Sequence, residues 1–162
     1  MADPTIIVRT ATEADLKALR AMETRPVLAL TDDVYAGQLA GDAVFAVALV
    51  DDVVQGSGVL DVRESDLQPE VKLLWVQPGF RRMGLGQKLT EFLEDAARAQ
   101  GFLACHMAID PNNEKAIPLA VDLGYSATGD HKFVEDPDAE QVAHPSQVSN
   151  YYAVYRKSLT MG

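Results

Sequence analysis

The chain has 162 residues, of which 48% are apolar and 23% charged, and its formal net charge is −10. These values fit one soluble domain, which we expect to span residues 1–162, and no apolar run reaches the roughly 18 residues that a membrane-spanning helix requires. The acidic balance excludes nucleic acid as the main partner, because a phosphate backbone requires a basic surface; the charge either steers a cationic substrate or only keeps the protein soluble.

The N-terminal half predicts one strand, two helices and then three strands. Its elements are a strand at Ile6–Arg9, a helix capped by Thr12 and ended by Pro26, a short helix at Asp32–Leu39, and strands at Val44–Val50, Val53–Val62 and Val71–Val76. Gly56 and Gly58 lie inside the second of these three strands, and such glycines are typical of a bulge or of a close backbone approach.

The C-terminal half begins with the clearest helix, Gly84–Gln100, whose apolar stripe faces away from the charged residues Glu91, Glu94, Asp95 and Arg98. It continues with a strand at Phe102–Ile109, a helix at Asn113–Leu123, a strand at Thr128–Val134, a long polar loop at Glu135–Asn150 and a strand at Tyr151–Lys157. The order β-α-α-β-β-β-α-β-α-β-β predicts an α/β fold with a mixed sheet and helices on both faces.

The stretch from Val76 to Leu89 carries the clearest functional signal. It runs from the end of a strand through a glycine-containing turn into a helix, with Arg81 and Arg82 just before that helix. A helix N-terminus presents unpaired N–H groups, and glycines let a phosphate approach them closely. The stretch is neither a Walker A loop nor a dinucleotide fingerprint, because it lacks the Gly-Lys-Ser/Thr end and the third glycine. It predicts a pyrophosphate site or an ordinary turn with a basic flank.

Three motifs resemble those of the GNAT acetyltransferases. Arg81-x-x-Gly84-x-Gly86 is similar to the signature Gln/Arg-x-x-Gly-x-Gly/Ala, Val8–Leu16 is similar to the usual opening of such domains, and Asn113-x-x-Ala116-x-x-Leu119 with Gly124-Tyr125 resembles the second motif. The resemblance covers nearly the whole chain. It implies the acyl-CoA N-acyltransferase fold, with a mostly antiparallel central sheet, and acetyl transfer from acetyl-CoA to a primary amine by direct attack in a ternary complex.

The resemblance also implies where acetyl-CoA binds. The strand ending at Val76 would splay from the Phe102–Ile109 strand and admit the pantetheine arm, and the Val76 N–H would stabilise the charge that develops on the acetyl oxygen. Asn113 would lie near the pantetheine or thiol end. The implied cofactor residues are Leu74, Trp75, Val76, Arg81, Arg82, Met83, Gly84, Leu85, Gly86, Gln87 and Asn113.

Glu70 is the best candidate for the base that takes the amine's proton. It lies six residues before Val76, where histone-type members of the family place a glutamate that acts through water. Such a carboxylate works as a base if partial burial makes it less acidic. The alternative is a strand-edge carboxylate paired with Lys72.

The chain departs from the family pattern at Ala120, where many members carry a tyrosine that protonates the leaving thiolate. Tyr125, Tyr151 and Tyr152 are the candidate replacements, with core packing as the alternative role for each. We assign Tyr125 as the catalytic candidate. A coenzyme A thiolate leaves readily enough that a side-chain acid is not essential. Pro118 lies inside the predicted helix Asn113–Leu123, where it would remove one backbone hydrogen bond. It costs little if that helix begins near residue 114 or 115.

The acceptor and the assembly remain open at the sequence level. A small polar amine is favoured over a protein N-terminus or lysine, and a non-catalytic acyl-CoA-binding module is the alternative from another class; a homodimer is left open. The three histidines lack metal-ligand spacing and Cys105 is expected to be core packing, so no metal is expected. With one cysteine and no secretory signal, the protein is expected in the cytoplasm.

Overall fold

The computed structural model describes residues 3–23, 26–111, 113, 116–133 and 151–159. The strands are β1 (Ile6–Thr10), β2 (Ala43–Val50), β3 (Val53–Asp61), β4 (Glu70–Val76), β5 (Ala104–Ile109), β6 (Ser126–Phe133) and β7 (Tyr151–Ser158), and the helices are α1 (Leu16–Ala21), α2 (Leu30–Ala40), α3 (Leu85–Ala99) and α4 (Ala116–Asp122). Short 3₁₀ helices lie at Glu13–Asp15, Pro26–Leu28 and Pro78–Met83. The order of strands and α-helices is the one that the sequence predicts.

The strands form one seven-stranded sheet in the order β1-β2-β3-β4-β5-β7-β6. Every neighbouring pair is antiparallel except β4 and β5, which are parallel. The predicted mixed, mostly antiparallel sheet is therefore confirmed. The parallel pair lies near the middle of the sheet, and the crossover between its two strands is α3.

Strand β2 contributes to a hydrophobic core on each face of the sheet. Ala46, Ala48 and Val50 point into the larger core with α3, whereas Phe45, Val47 and Leu49 point into the smaller core with α1. Successive side chains of a strand point to opposite faces, so a strand covered on both faces is apolar throughout. Helices pack on both faces, as predicted.

A bulge distorts β4 where it passes Gly58. Ser57 lies opposite Trp75 and Val59 opposite Lys72, so β4 has one residue more than β3 between these pairs. Leu73 takes the left-handed conformation, with φ of 55°, which is strained for a leucine. A Cβ on Gly58 would lie 2.7 Å from Leu74 Cδ2. The bulge predicted at the glycines lies in β3 itself, where Val54 and Gly56 face the consecutive residues Leu49 and Ala48 of β2. A Cβ on Gly56 would lie 3.0 Å from the Trp75 carbonyl oxygen, which is the predicted close backbone approach.

Several predicted boundaries shift by a few residues. Asp15 ends a 3₁₀ turn before α1, and its carboxylate accepts bonds from the Thr12 N–H and from Arg9. Pro118 is the third residue of α4, inside the first turn, where a proline is tolerated. The loop Glu135–Asn150 lies outside the described residues.

Candidate active site

Strands β4 and β5 are parallel neighbours that pair only at the beginning of β4. Glu70 lies opposite His106, and the His106 N–H donates to the Pro69 carbonyl at 3.0 Å. Within the described ranges no other register pair joins the two strands, so Leu73–Val76 borders a gap instead of a hydrogen-bonded neighbour. We call this opening the β4–β5 gap; Glu70 and His106 mark its closed end.

The backbone N–H of Val76 points into this gap. Gln77 donates its N–H to the Gln55 carbonyl at 2.8 Å, one residue beyond the opposed pair Val76 and Gly56. In an antiparallel ladder this bond makes Val76–Gly56 a non-hydrogen-bonded pair, whose N–H and C=O groups point away from each other. Those groups of Val76 therefore face away from β3 and toward β5.

The N-terminus of α3 lies just after this strand end and carries no side-chain cap. Gly84 is the N-cap residue in the left-handed conformation, with φ of 75°. The first helical bond runs from the Lys88 N–H to the Gly84 carbonyl at 3.1 Å, so the N–H groups of residues 85–87 have no acceptor inside the helix. A Cβ on Gly84 or Gly86 would meet no atom within 4 Å. This 15-residue helix presents an open anion site.

Arg81 is held between β4 and this helix end. Its Nε donates to the Val76 carbonyl at 3.0 Å, and its guanidinium lies 5.0 Å from the centre of the Trp75 ring. Trp75 is itself fixed by a bond from Nε1 to Gln77 Oε1 at 3.0 Å. Ten of the eleven predicted cofactor residues lie along the stretch from the end of β4 to the first turn of α3. They are Leu74, Trp75, Val76, Arg81, Arg82, Met83, Gly84, Leu85, Gly86 and Gln87.

Asn113, the eleventh predicted cofactor residue, lies at the start of α4. Its Oδ1 accepts a bond from the Ala116 N–H at 3.2 Å, and its own N–H donates to Asp110 at 2.9 Å. The side chain thus caps α4 as an asparagine commonly does. A contact with the cofactor stays a prediction.

Glu70 is buried and bonded to a lysine that the sequence did not indicate. Lys132 Nζ of β6 lies 3.1 Å from Glu70 Oε1 and 3.4 Å from Oε2. The alternative partner, Lys72, instead lies 2.9 Å from Asp61 Oδ2. Because Lys132 is 62 residues away from Glu70 and two strands beyond β5, only the folded sheet brings the pair together.

His106 lies on the face of its strand opposite Cys105. Cys105 and Met107 point into the α3 core, so His106 shares the other face with Glu70, its register partner. Its Nδ1 is buried and has no hydrogen-bond partner among the described residues. Burial, together with the charge of Arg156, lowers the pKa of His106, although a bond that the imidazole donates to the Pro69 carbonyl acts in the opposite direction. Sequence spacing gave no sign of this environment.

Tyr125 lies away from the gap, inside the α3 core. Its side chain is 1% exposed and its hydroxyl donates to Glu94 Oε2 at 2.8 Å. Lys157 Nζ lies 3.0 Å from the other oxygen of Glu94. Burial and the charge of Glu94 raise the pKa of Tyr125 far above its ordinary value. Its role as a general acid stays a prediction, and this environment weighs against it.

The expectation that Glu94 lies on the exposed face of α3 is wrong. Glu94 is 2% exposed, because Tyr125 and Lys157 supply the donor and the cation that a buried carboxylate requires. Cys105 lies in the same cluster, and burial followed by the Glu94 charge raises its pKa to about 12. The thiol is fully buried, which agrees with the predicted packing role.

A cleft of about 500 Å³ opens on the face of the sheet opposite α3, between α2 and the strands β2–β4. Its apolar lining includes Leu73, the bulged residue beside the gap. Asp61 lies in it, bonded to Arg63 at 2.6 Å and to Lys72 at 2.9 Å. Burial alone would raise the pKa of Asp61, but the two cations lower it well below its ordinary value. Asp33 and Asp42 add two exposed carboxylates at the rim. We call this opening the α2 cleft.

Two other kinds of site are not found in the part of the chain that the structure describes. Its His, Cys, Asp and Glu side chains do not come together in any group of three that suits a metal ion. None of its helices has both the length and the apolar character needed to cross a bilayer.

Comparison with known families gives a match over most of this chain. A model of the acetyltransferase (GNAT) family matches residues 12–125 of this chain. The matched span runs from Thr12, the cap of the first helical turn, to Tyr125, the residue just before β6. It includes β4, the β4–β5 gap and the open N-terminus of α3.

Solved structures of low sequence identity share the fold. The yncA protein of Salmonella typhimurium, solved with its cofactor acetyl-CoA, is 23% identical, with a TM-score of 0.72 over 97% of this chain and 95% of that one. The PaiA N-acetyltransferase of Thermoplasma acidophilum, in complex with coenzyme A, is 15% identical, with a TM-score of 0.67 over 95% of this chain and 99% of that one. A spermidine N-acetyltransferase chimera from Vibrio cholerae and hSSAT is 14% identical, with a TM-score of 0.71 over 95% of each chain.

Proposed function

The chain belongs to the GNAT family of acetyltransferases, and on that premise we propose that it transfers the acetyl group of acetyl-CoA to a small polar amine by direct attack in a ternary complex. The observation that carries the proposal is the open α3 N-terminus beside the β4–β5 gap. A pyrophosphate and a thioester arm need these two features together, and one loop supplies both.

Acetyl-CoA would bind along this loop. The N–H groups of residues 85–87 and the guanidinium groups of Arg81 and Arg82 are suited to the pyrophosphate, because a helix N-terminus and fixed cations both attract anions. The N–H of Val76 would hold the acetyl oxygen and stabilise the negative charge that forms during attack. The yncA protein is bound to acetyl-CoA and the PaiA protein to coenzyme A, which supports this choice of co-substrate.

The acceptor amine would enter from the α2 cleft. The volume of the cleft suits a small ligand. Leu73, which lines the cleft, belongs to β4, the strand that borders the gap. Asp33 and Asp42 at its rim favour a cation. The solved spermidine N-acetyltransferase chimera acts, by its name, on a polyamine, and it supports an amine acceptor of this class.

Glu70 would take part in removing the proton from the amine. Its buried carboxylate lies at the closed end of the gap, on the face of the sheet that also lines the α2 cleft. General bases of this kind contribute about 10²–10⁴-fold to a rate. Glu70→Gln should therefore lower kcat about 100-fold or more and leave acetyl-CoA affinity nearly unchanged.

Glu70→Gln also removes the ion pair with Lys132, so a matched variant is needed. Lys132→Met removes the same ion pair but keeps the carboxylate, and it should retain most of kcat. Equal losses in both variants, with unchanged pH–rate profiles, would assign Glu70 to the structure and not to the proton transfer.

The proposed function is tested first by thermal-shift titration and then by coenzyme A release. Saturation at about 100 times the dissociation constant adds roughly 2.7 kcal/mol, which raises the midpoint of a domain of this size by about 5–10 °C. We expect that shift with acetyl-CoA and with coenzyme A, and none with ATP. Thiol release is then followed with a panel of small amines and one peptide with a free N-terminus. If none of these amines causes coenzyme A release, an acyl-CoA-binding module would be the better description of the protein.

A further inference from the structure

The last carbonyl of β4 is bonded to an arginine of the loop that follows the strand. Arg81 Nε donates to the Val76 carbonyl at 3.0 Å, and its guanidinium lies 5.0 Å from the centre of the Trp75 ring. The N–H of the same peptide group, which belongs to Gln77, is bonded to the Gln55 carbonyl of β3. Because the Val76 carbonyl faces the β4–β5 gap, Arg81 occupies the acceptor that this strand end offers to a ligand in the gap.

A thioester arm that lies along β4 needs this carbonyl. The pantetheine arm carries amide N–H groups, and an extended chain beside a strand edge pairs with both the N–H and the C=O groups of that edge. Within the described ranges β5 is in register with β4 only at Glu70, so no strand takes the place of the arm beside Val76. The arm can pair with the whole edge unhindered only after the Arg81 side chain has moved.

The contacts that hold Arg81 are weaker than those that a pyrophosphate would offer. Arg81 is exposed and forms no ion pair with the residues that the structure describes. A cation over an exposed aromatic ring gains little, whereas guanidinium–phosphate bonds are charge-assisted and often bidentate. Arg81 lies three residues before Gly84, the N-cap of α3, so rotation about its own side-chain bonds can bring the guanidinium to an anion at that helix end.

We propose that Arg81 makes the binding of the thioester arm depend on the pyrophosphate of coenzyme A. In the free protein Arg81 covers the Val76 carbonyl. A bound pyrophosphate draws the guanidinium away, and the carbonyl then accepts an amide N–H of the arm. Arg81 thereby determines specificity for the acyl donor, because it disfavours short thioesters that carry no phosphate. This inference rests on the proposed use of acetyl-CoA and extends it to the way in which the two halves of that molecule are recognised.

The test compares acetyl-CoA with S-acetylpantetheine, which has the same arm and thioester but no pyrophosphate. Isothermal titration gives the dissociation constant of each ligand for the wild type, Arg81→Met and Arg82→Met. Methionine keeps an unbranched side chain but has neither the charge nor the donors. Arg82 is the adjacent exposed arginine, and its side chain bonds to no residue that the structure describes. Arg82→Met therefore removes an equal charge and leaves the bond from Arg81 to the Val76 carbonyl in place.

We expect Arg81→Met to have opposite effects on the two ligands. Its affinity for acetyl-CoA should fall about tenfold, because a charge-assisted bond to the phosphate is lost. Its affinity for S-acetylpantetheine should rise about fivefold, because the Val76 carbonyl is open without a pyrophosphate. Arg82→Met should lower the affinity for acetyl-CoA alone.

Two outcomes of the titrations separate this inference from the proposed function. If Arg81→Met binds S-acetylpantetheine no more tightly than the wild type does, the inference is overturned, while acetyl-CoA binding by the wild type leaves the proposed function standing. A wild type that binds no acetyl-CoA would overturn both.

A second measurement uses the unchanged chain. Trp75 is the only tryptophan, so its fluorescence reports whether the guanidinium leaves its ring. Inorganic pyrophosphate, which has neither an arm nor an aromatic ring, should change the emission of the wild type and of Arg82→Met but not that of Arg81→Met. Wild-type emission that ignores millimolar pyrophosphate would contradict the inference, because Arg81 would then remain on Trp75.

Discussion

At the residue scale, Tyr125, Glu94, Lys157 and Cys105 form one buried cluster between α3 and the sheet. The carboxylate of Glu94 accepts from Tyr125 on one oxygen and from Lys157 on the other. Lys157 Nζ also lies 5.8 Å from the centre of the Tyr125 ring. A carboxylate that is 2% exposed persists only with such partners. The cluster therefore joins α3 to β7 and to the chain after α4, and we expect it to stabilise the fold and to take no part in catalysis.

Tyr125→Phe should cost stability and spare catalysis. Removing the hydroxyl leaves one oxygen of Glu94 without its donor, and an unsatisfied buried polar group costs about 1–3 kcal/mol. Urea unfolding should show this loss, while kcat and its pH dependence stay close to the wild-type values. Tyr35→Phe is the control, because no described residue bonds to the Tyr35 hydroxyl; its effect should lie within about 0.5 kcal/mol.

Opposite results would restore the role that the sequence assigned to Tyr125. A drop in kcat of about 100-fold in Tyr125→Phe, with unfolding unchanged, would mean that the hydroxyl reaches the thiolate in spite of its burial. The same logic applies to Glu70, for which the pH profile and not the size of the rate loss separates a proton acceptor from a packing residue.

At the element scale, the periodicity of the sequence predicted the features that one helix or strand determines alone. It missed the contacts that join residues of distant helices and strands. The apolar stripe of α3 and the two-faced β2 are local patterns, and both are present. The burial of Glu94 and the pairing of Glu70 with Lys132 depend on residues 31 to 63 positions away, so no local pattern indicated them. The left-handed Leu73 was equally hidden, because the sequence placed the bulge at the glycines and not on the neighbouring strand.

The N-terminus of α3 gives a prediction about binding without a change in folding. Gly86 lies in open space, and a Cβ there meets no atom within 4 Å, so the fold does not require a glycine at this position. A ligand that contacts the helix backbone does require one. Gly86→Glu should abolish acetyl-CoA binding, through bulk and negative charge, and leave the unfolding midpoint of the free protein nearly unchanged.

Gly86→Ala separates size from charge in that experiment. The alanine adds only the Cβ for which space exists, and it favours the helix slightly, so affinity should fall much less than in Gly86→Glu. Isothermal titration with acetyl-CoA measures both variants. Wild-type affinity in Gly86→Glu would remove the α3 N-terminus from the cofactor site.

At the scale of the whole molecule, the order of the strands produces the site. The chain order predicted a mixed sheet but not which strands are neighbours. Strand β7 inserts between β5 and β6, and this insertion brings Lys132 and Arg156 to the face that holds Glu70 and His106. The parallel contact of β4 with β5, which opens into the gap, likewise arises from a crossover through α3 that periodicity does not reveal.

The net charge of −10 gives the last prediction. If the field of the molecule attracts a cationic amine toward Asp33 and Asp42, salt should weaken that attraction, because the screening length falls from about 10 Å at 0.1 M to about 3 Å at 1 M. With acetyl-CoA saturating, the KM for the amine should rise severalfold as sodium chloride increases, while kcat stays nearly constant. The double variant Asp33→Asn with Asp42→Asn should start from a higher KM and respond less to salt. A KM that ignores salt in the wild type would mean that the acidic surface serves solubility alone, and that recognition of the amine depends on the apolar walls of the α2 cleft.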